Sequence, residues 1–197
     1  MLDYKSIKTQ FLFFPSFLLT IIIIFGCQSK SDQYNFNGGF ENESRYNSEP
    51  SGWYATRVPK TSSFTHFTLD SVIKHSVKYS VSIAIDSTHP QDKIVYNWTR
   101  TFEEFTINNK YSISGWVKTD NLLSPAFIVV QCWNAEKKMI GFFTTQRDYQ
   151  IKGTSDWVLV KTDFTVPEST KEVRIRAGIA SPKNNGGKVW FDDIEIE

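Results

Sequence analysis

The sequence predicts an all-β fold, an antiparallel β-sandwich. From residue 35 onward, apolar and polar residues alternate in several short stretches, which is the period of a half-buried strand. Turn-forming residues separate these stretches, whereas apolar residues at helical spacing are hard to find. Many short strands at regular spacing favour a sandwich or a barrel. The clearest alternating stretches span residues 79–85, 111–118, 173–179 and 190–196.

The first 26 residues predict a lipoprotein signal peptide. Lys5 and Lys8 precede an apolar run over residues 11–26, which Pro15 interrupts. A membrane-spanning helix needs about 20 apolar residues, so this run is short for one and fits the apolar part of an export signal. A short uncleaved transmembrane anchor is the alternative.

Cys27 is the expected attachment point for a lipid. The pair Gly26-Cys27 resembles the cleavage site of bacterial lipoproteins, and acyl chains on the thiol would provide stable membrane anchoring. Residues 27–34 are polar and predict a short tether. Gln28, rather than Asp, follows the cysteine, which implies an outer-membrane lipoprotein of the bacterial cell envelope.

The charge balance and the cysteine count argue against a nucleic-acid partner and against an internal disulfide. Beyond residue 26 the chain has 20 basic and 20 acidic residues. No nucleic-acid partner is expected, because such a partner requires a basic surface. Once Cys27 carries a lipid, Cys132 has no disulfide partner. Since Cys132 lies in an apolar segment, we expect it to be a buried small side chain.

Several short segments occur in a fixed order along residues 35–197. They are Asn37–Glu41, Gly52-Trp53, His75–Val81, Tyr111–Lys118, Trp157, Phe164–Pro167 and Gly187–Ile194. In this order and spacing they resemble carbohydrate-binding modules of the cellulose- and xylan-binding type, families four, nine and twenty-two. The resemblance implies a galactose-binding-like jelly roll that binds a polysaccharide or oligosaccharide. It is more specific for the fold than for sugar binding, because the same framework serves other functions.

A structural calcium ion is the cofactor that the resemblance implies, with Glu41 and Asp192 as side-chain ligands. In the last alternating stretch, Asp192 shares the phase of Trp190, Ile194 and Ile196, which predicts that it faces inward. An inward carboxylate needs a partner or a metal, and calcium prefers six to eight oxygen ligands. Backbone carbonyls would have to complete the site. In the alternative, Asp192 caps backbone amides or meets a lysine.

A sugar-binding platform is predicted from aromatic and polar side chains on strands. Pyranose faces lie flat on aromatic rings, and sugar hydroxyls favour side chains such as Gln and Arg. In the alternative the tryptophans belong to the core, and an inward Phe102 would take Trp98 inward with it. Trp53, Trp157 and Trp190 match framework positions and are expected to be structural. The predicted ligand-binding residues are Trp98, Arg100, Trp116, Gln131 and Trp133.

The sequence contains little that resembles a catalytic motif, so we expect that the protein is not an enzyme. The three histidines lack metallohydrolase spacing, and no nucleophile elbow occurs. Glu103 and Glu104 are adjacent, and adjacent strand residues point to opposite faces. Two functions follow. One is a lipid-anchored, non-catalytic glycan-binding protein of the bacterial envelope. The other is a structural or interaction lipoprotein whose sandwich docks an envelope protein.

Overall fold

The chain forms two five-stranded antiparallel sheets, which confirms the predicted β-sandwich. The computed structural model describes residues 36–102 and 105–197. Sheet A has the order β1-β4-β9-β6-β7, and sheet B has the order β2-β3-β10-β5-β8. The strands are β1 (Trp53–Ala55), β2 (Thr65–Asp70), β3 (Ser80–Ile85), β4 (Val95–Phe102), β5 (Lys110–Leu122), β6 (Phe127–Trp133), β7 (Met139–Thr144), β8 (Gly153–Thr165), β9 (Glu172–Ala180) and β10 (Lys188–Ile196).

Several sequence predictions concern residues outside the described part of the chain. They are the signal peptide over residues 1–26, the lipidated Cys27, the tether over residues 27–34, and the pair Glu103 and Glu104. Within the described residues, no helix has the length and apolar character that crossing a membrane requires.

The core lies between the two sheets and is built from alternate residues of each strand. In β9 the predicted inward set is confirmed, because Val173, Ile175, Ala177 and Ile179 are all buried in one apolar cluster. Gly115 of β5 permits close approach of the layers, since a Cβ atom there would lie 2.6 Å from Cδ1 of Ile128 in sheet A.

The prediction that Trp190 and Asp192 of β10 face the core is wrong. Val189 and Phe191 belong to the apolar core cluster, together with Ile194 further along the strand, whereas Trp190 and Asp192 do not. The pairing with β5 shifts between Asp192 and Glu195, which marks a bulge. This bulge reverses the alternation, so Trp190 and Asp192 lie on the outer face of sheet B.

Asp192 is nevertheless fully buried, because the segment from Ser71 to Lys78 passes over it. The backbone amides of His75 and Ser76 donate to Asp192 Oδ2 at 2.8 and 3.0 Å. At the start of the same segment, Asp70 accepts a hydrogen bond from the Trp190 indole at 2.9 Å. One outer face of the sandwich is therefore partly covered by the chain itself.

Candidate functional site

The outer face of sheet A presents side chains in rows that the strand register fixes. Antiparallel pairing aligns Tyr54 with Thr99, Thr99 with Arg176, and Arg176 with Val129. These residues belong to β1, β4, β9 and β6, and none belongs to the apolar core cluster. The next row aligns Thr101, Arg174, Gln131 and Phe142.

A pocket of about 360 Å³ opens on this face. We call it the sheet A pocket, and its lining includes Phe127, Val129, Gln131, Phe142 and Arg176. Phe142 on the edge strand β7 is 49% exposed, so its ring is available to a ligand. Small outward residues follow Arg176 along β9 and leave room for the pocket, as Gly178 and Ala180 show.

Three side chains on this face have buried polar atoms without a hydrogen-bond partner among the described residues. The atoms are Gln131 Oε1, Trp133 Nε1 and Arg176 Nε. A buried polar atom without a partner costs about 1–3 kcal/mol, so native proteins leave few of them. The outer face of sheet A therefore has unused hydrogen-bonding capacity next to its pocket.

Two neighbouring arginines on this face, Arg174 and Arg176, differ in whether a carboxylate pairs with them. The Arg174 guanidinium forms an ion pair with Glu172 and lies 4.6 Å from the centroid of the Trp133 ring. Arg176 forms no ion pair with any described residue. Burial lowers the pKa of Arg176, and the Arg174 charge lowers it further, while Tyr54 and Glu172 act in the opposite direction. The guanidinium stays charged, because its ordinary pKa is far above neutrality.

Two of the predicted ligand-binding residues lie on this face. Gln131 lines the sheet A pocket, and Trp133 lies two residues further along the same strand, on the same side. One side of the Trp133 ring is occupied by Arg174, so its stacking surface for a sugar is reduced.

The prediction that Trp98 faces a ligand is wrong. Trp98 is fully buried, and its indole donates to the carbonyl of Ser82 in sheet B at 3.2 Å. Phe102 also faces the core, so the shared phase of these residues takes Trp98 inward. The alternative weighed from the sequence is the correct one.

Arg100 is also directed away from the predicted platform. It has the inward phase of Trp98 and Phe102, and its guanidinium carbon lies 5.2 Å from the centroid of the Phe102 ring. Arg100 Nη1 occupies the space where a Cβ atom of Gly52 would stand, and Gly52 has a φ of 79°. A glycine is required there by both the backbone conformation and the arginine.

Trp116 lies on the outer face of the other sheet. It has the polar phase predicted from the sequence, but its strand β5 belongs to sheet B. Its ring stacks on His75 at 4.0 Å, and His75 also meets the Trp157 ring edge-on at 5.7 Å. The five predicted residues therefore do not form one platform.

A second, more polar cavity of about 500 Å³ lies beside Trp116 on the outer face of sheet B. We call it the sheet B cavity. Its charged lining residues are Lys161, Asp193, Glu195 and Glu197. Burial raises the pKa of Glu195, and the negative charges of Asp193 and Glu197 raise it further.

Two of the three framework tryptophans have the structural places expected of them. Trp53 is buried in the core, where its ring lies 5.5 Å from Phe36 and 5.1 Å from Phe40. Trp190 is 8% exposed and bonded to Asp70. Cys132 is a buried free cysteine, as predicted.

Sequence reasoning missed Phe142 and Arg176. The alternation of Arg176 with Ile175 and Ala177 served as evidence for a strand, but the same pattern places a cation on an outer face. The adjacent pair Phe142-Phe143 was a usable signal, since one of two neighbouring strand residues must point outward. Which sheet faces they share could not be read from the sequence, because it depends on pairing between distant strands.

The carboxylates of Glu41 and Asp192 come together, as the calcium prediction requires, but their surroundings are donors. Ser76 Oγ lies 3.4 Å from both carboxylates. The amides of Lys78 and Tyr79 donate to Glu41 Oε1, just as amides of the same segment donate to Asp192. Burial has the largest effect on the pKa of Asp192 and raises it. The hydrogen bonds from the amides of Ser76 and His75 act in the opposite direction.

This donor set does not fit a calcium shell, because amide hydrogens point at the oxygens that would face the ion. In the two segments that would have to supply carbonyl ligands, the carbonyls of Gly38 and Ile73 accept hydrogen bonds from Ile194 and Ser80. Among the described residues, no three His, Cys, Asp or Glu side chains are grouped to hold a metal. The arrangement matches the amide-capping alternative, and calcium stays a prediction.

Comparison with known proteins places the fold. The xylan-binding family 22 module from Paenibacillus barcinonensis is 12% identical, with a TM-score of 0.51, and the match covers 81% of this chain and 90% of that one. The C-terminal family 22 module of a Clostridium thermocellum protein is 15% identical, with a TM-score of 0.52, over 81% and 94% of the two chains. A family 4 module is 13% identical, with a TM-score of 0.51, over 76% and 96%.

Other matches are to parts of larger proteins. The enzymatically active domain of tailspike protein 4 from bacteriophage CBA120 is 12% identical, with a TM-score of 0.58, over 81% of this chain and 20% of that one. The tRNA nuclease WapA of Bacillus subtilis strain 168 is 22% identical over 153 residues, 77% of this chain. The chain spans about 6% of the length of the curated relatives it matches. No protein-family model matches it. The chain has the jelly-roll β-sandwich fold of carbohydrate-binding modules such as those of families 4 and 22.

Proposed function

We propose that this protein is a non-catalytic glycan-binding lipoprotein of the bacterial cell envelope, and that the outer face of sheet A is its binding surface. The observation that carries this proposal is the sheet A pocket, where an exposed aromatic ring lies beside polar atoms without partners. The fold shared with xylan-binding modules supports it, since those solved relatives bind a polysaccharide.

The chemistry of the pocket suits a sugar chain. Phe142 and Phe127 supply apolar surface for the CH face of a pyranose, and Gln131 supplies an acceptor and donors for hydroxyls. Five strands at about 4.8 Å spacing make the face about 19 Å wide, which suits an extended oligosaccharide. A hydroxyl that reaches Gln131 or Trp133 relieves a polar atom that otherwise has no partner.

The amino-terminal region supports a membrane location for this module. Cys27 after a short apolar run is the expected lipid anchor, and the polar residues 27–34 would let the module reach its ligand. An outer-membrane position is proposed from Gln28 after Cys27. The module of residues 35–197 would hold a polysaccharide at the envelope for other proteins to process or import.

Binding of the full chain in mild detergent to an array of plant and bacterial glycans tests the proposal. We expect retention of at least one glycan, and we expect Phe142→Ala to weaken that binding about ten-fold, because it removes an exposed aromatic surface. Leu159→Ala is the matched control, since Leu159 is 44% exposed on the outer face of sheet B. It is expected to bind as the wild type does.

Two results would overturn the proposed surface. One is equal loss of binding in Phe142→Ala and Leu159→Ala. The other is retention of envelope proteins but of no glycan, which would favour the interaction lipoprotein considered from the sequence. Thermal unfolding of both variants shows whether a loss of binding reflects a loss of fold.

A further inference from the structure

The cation that lines the sheet A pocket has no ion-pair partner among the described residues. Arg176 lines the pocket, forms no ion pair with any described residue, and has a buried Nε without a hydrogen-bond partner. Its neighbour Arg174 is different, because Glu172 neutralises that guanidinium. No Asp or Glu of the described part of the chain lines the pocket.

A second opening extends this positive region. It has a volume of about 280 Å³, shares Val95, Ser124 and Ala180 with the sheet A pocket, and has Lys93 and Lys183 in its lining. Among the described residues, no carboxylate lines this opening. Asp92, the neighbour of Lys93 in sequence, is paired with Lys60 at 3.0 Å. The described linings of these two adjoining openings therefore contain three cations and no anion.

We propose that the outer face of sheet A binds a glycan that carries an anionic substituent, such as the carboxylate of a uronic acid, and that Arg176 is its direct ligand. This inference rests on the proposed function and adds the ligand class. A guanidinium binds a carboxylate or a sulfate through two parallel hydrogen bonds. A neutral sugar would leave the partly buried charge of Arg176 uncompensated, which is unfavourable.

Lys93 and Lys183 extend the same preference along the chain of sugars. They are at the end of the face beyond Val95 and Ala180, so an oligosaccharide with repeated anionic groups would meet a second cation after Arg176. These exposed lysines contribute mainly through long-range attraction, which salt weakens. Arg176 itself is only partly exposed, so its contribution is less sensitive to salt.

The test uses the full chain in mild detergent and the same glycan array, with acidic glycans and their neutral counterparts side by side. Each acidic glycan that binds is then compared with its carboxyl-reduced form, which has the same backbone with an alcohol in place of the acid. Sulfated glycans are compared with their desulfated forms, so the two arms distinguish carboxylate from sulfate. We expect the neutral form of the bound glycan to bind about ten-fold to a hundred-fold more weakly.

The variants assign that preference to one residue. Arg176→Gln is expected to bind the acidic glycan as weakly as the wild type binds its neutral form, and Arg176→Lys is expected to retain part of the preference because the charge remains. Lys161→Gln removes a cation from the outer face of sheet B and is expected to change neither. Thermal unfolding checks that each variant is folded.

The outcomes separate this inference from the function on which it rests. Binding of neutral glycans that Arg176→Gln does not weaken would overturn the anionic ligand and leave glycan binding intact. An acidic preference that persists unchanged in Arg176→Gln would overturn the role of Arg176. Binding of no glycan of either kind would overturn both proposals.

Discussion

The two outer faces of the sandwich differ in how far the protein satisfies its own polar groups. On sheet A, the polar atoms of Gln131, Trp133 and Arg176 lack partners among the described residues. On sheet B, the segment over residues 71–78 lies against the strands and supplies donors to the carboxylates beneath it. One face is open for a ligand, and the other is partly closed by the chain.

Aromatic residues alone do not distinguish the two faces. Trp116 points outward from sheet B as Trp133 does from sheet A, and the sequence predicted a ligand-binding role for both. In the folded protein Trp116 is stacked on His75, and His75 Nδ1 lies 2.7 Å from Asp193 Oδ2. Trp116 is therefore part of a cluster that fixes the covering segment.

Charge separates the faces as well. The charged residues that line the sheet A pocket and the opening next to it are Arg176, Lys93 and Lys183, and no carboxylate joins them among the residues the structure describes. The sheet B cavity has three carboxylates and one lysine in its lining. The openings on the two faces therefore differ in the charge of their described linings. Unsatisfied polar atoms and local charge distinguish the two faces, whereas outward aromatic rings occur on both.

The largest effect on the closed face is expected from Asp192→Ala. This change leaves the amides of His75 and Ser76 without their acceptor, so the free energy of unfolding should fall by about 2–4 kcal/mol. Chemical denaturation measures it. Asp156→Ala, which removes an exposed carboxylate paired with Lys118, should leave the free energy of unfolding nearly unchanged.

Asp192→Ala is expected to change stability but not glycan affinity. The affinity of folded Asp192→Ala for the bound glycan is expected to equal that of the wild type, because the pocket lies on the other sheet. A loss of affinity in a folded sample would show that the two faces are coupled.

A smaller, pH-dependent effect is expected from Asp70→Asn. Burial alone would raise the pKa of Asp70. Hydrogen bonds from the amides of Ile73 and Val72 and from the Trp190 indole, together with the Lys188 charge, outweigh burial, so the pKa of Asp70 lies below its ordinary value. The ionised form therefore stabilises the fold above the unfolded-state pKa, and this stabilisation is lost as the pH falls through the lowered value. At neutral pH the variant should be about 1–2 kcal/mol less stable.

Denaturation of both proteins between about pH 6 and about pH 2.5 measures the difference, which is expected to shrink towards the acid end. A difference that stays constant over this range would show that Asp70 acts without its charge. Asp163→Asn, an exposed carboxylate 3.7 Å from Lys110, is the matched control with little expected change at any pH.

The fold could be predicted from the sequence because its signal is local and repeated. The phases predicted for residues 111–117 of β5 and 173–177 of β9 were correct, since apolar and polar residues alternate regularly there. The phase of β10 was wrong because Trp190, Ile194 and Ile196 look continuous, whereas a bulge with Asp193 at a φ of 44° separates them. A pattern of residue types does not record such a backbone irregularity.

The candidate site was predicted only in part because it is assembled from distant segments. Gln131 could be found, because alternation along its own strand places it on the face that Ile128 and Val130 do not occupy. Arg176 and Phe142 reach the same face only through the pairing of β9 and β7 with β6. Trp98 shows the converse, because its strand offers two plausible faces and only contact with Ser82 in sheet B decides between them.

The smallest effect is expected from removal of divalent cations. Because backbone amides already donate to Asp192 and to Oε1 of Glu41, dialysis against a chelator should leave the melting temperature unchanged, and added calcium should not raise it. Asp192→Ala is the matched sample, since it removes one predicted ligand and should respond to neither treatment. A melting temperature that rises with calcium in the wild type alone would restore the calcium site predicted from the sequence. It would also mean that the segment over residues 71–78 rearranges to turn carbonyl oxygens, rather than amides, towards these carboxylates.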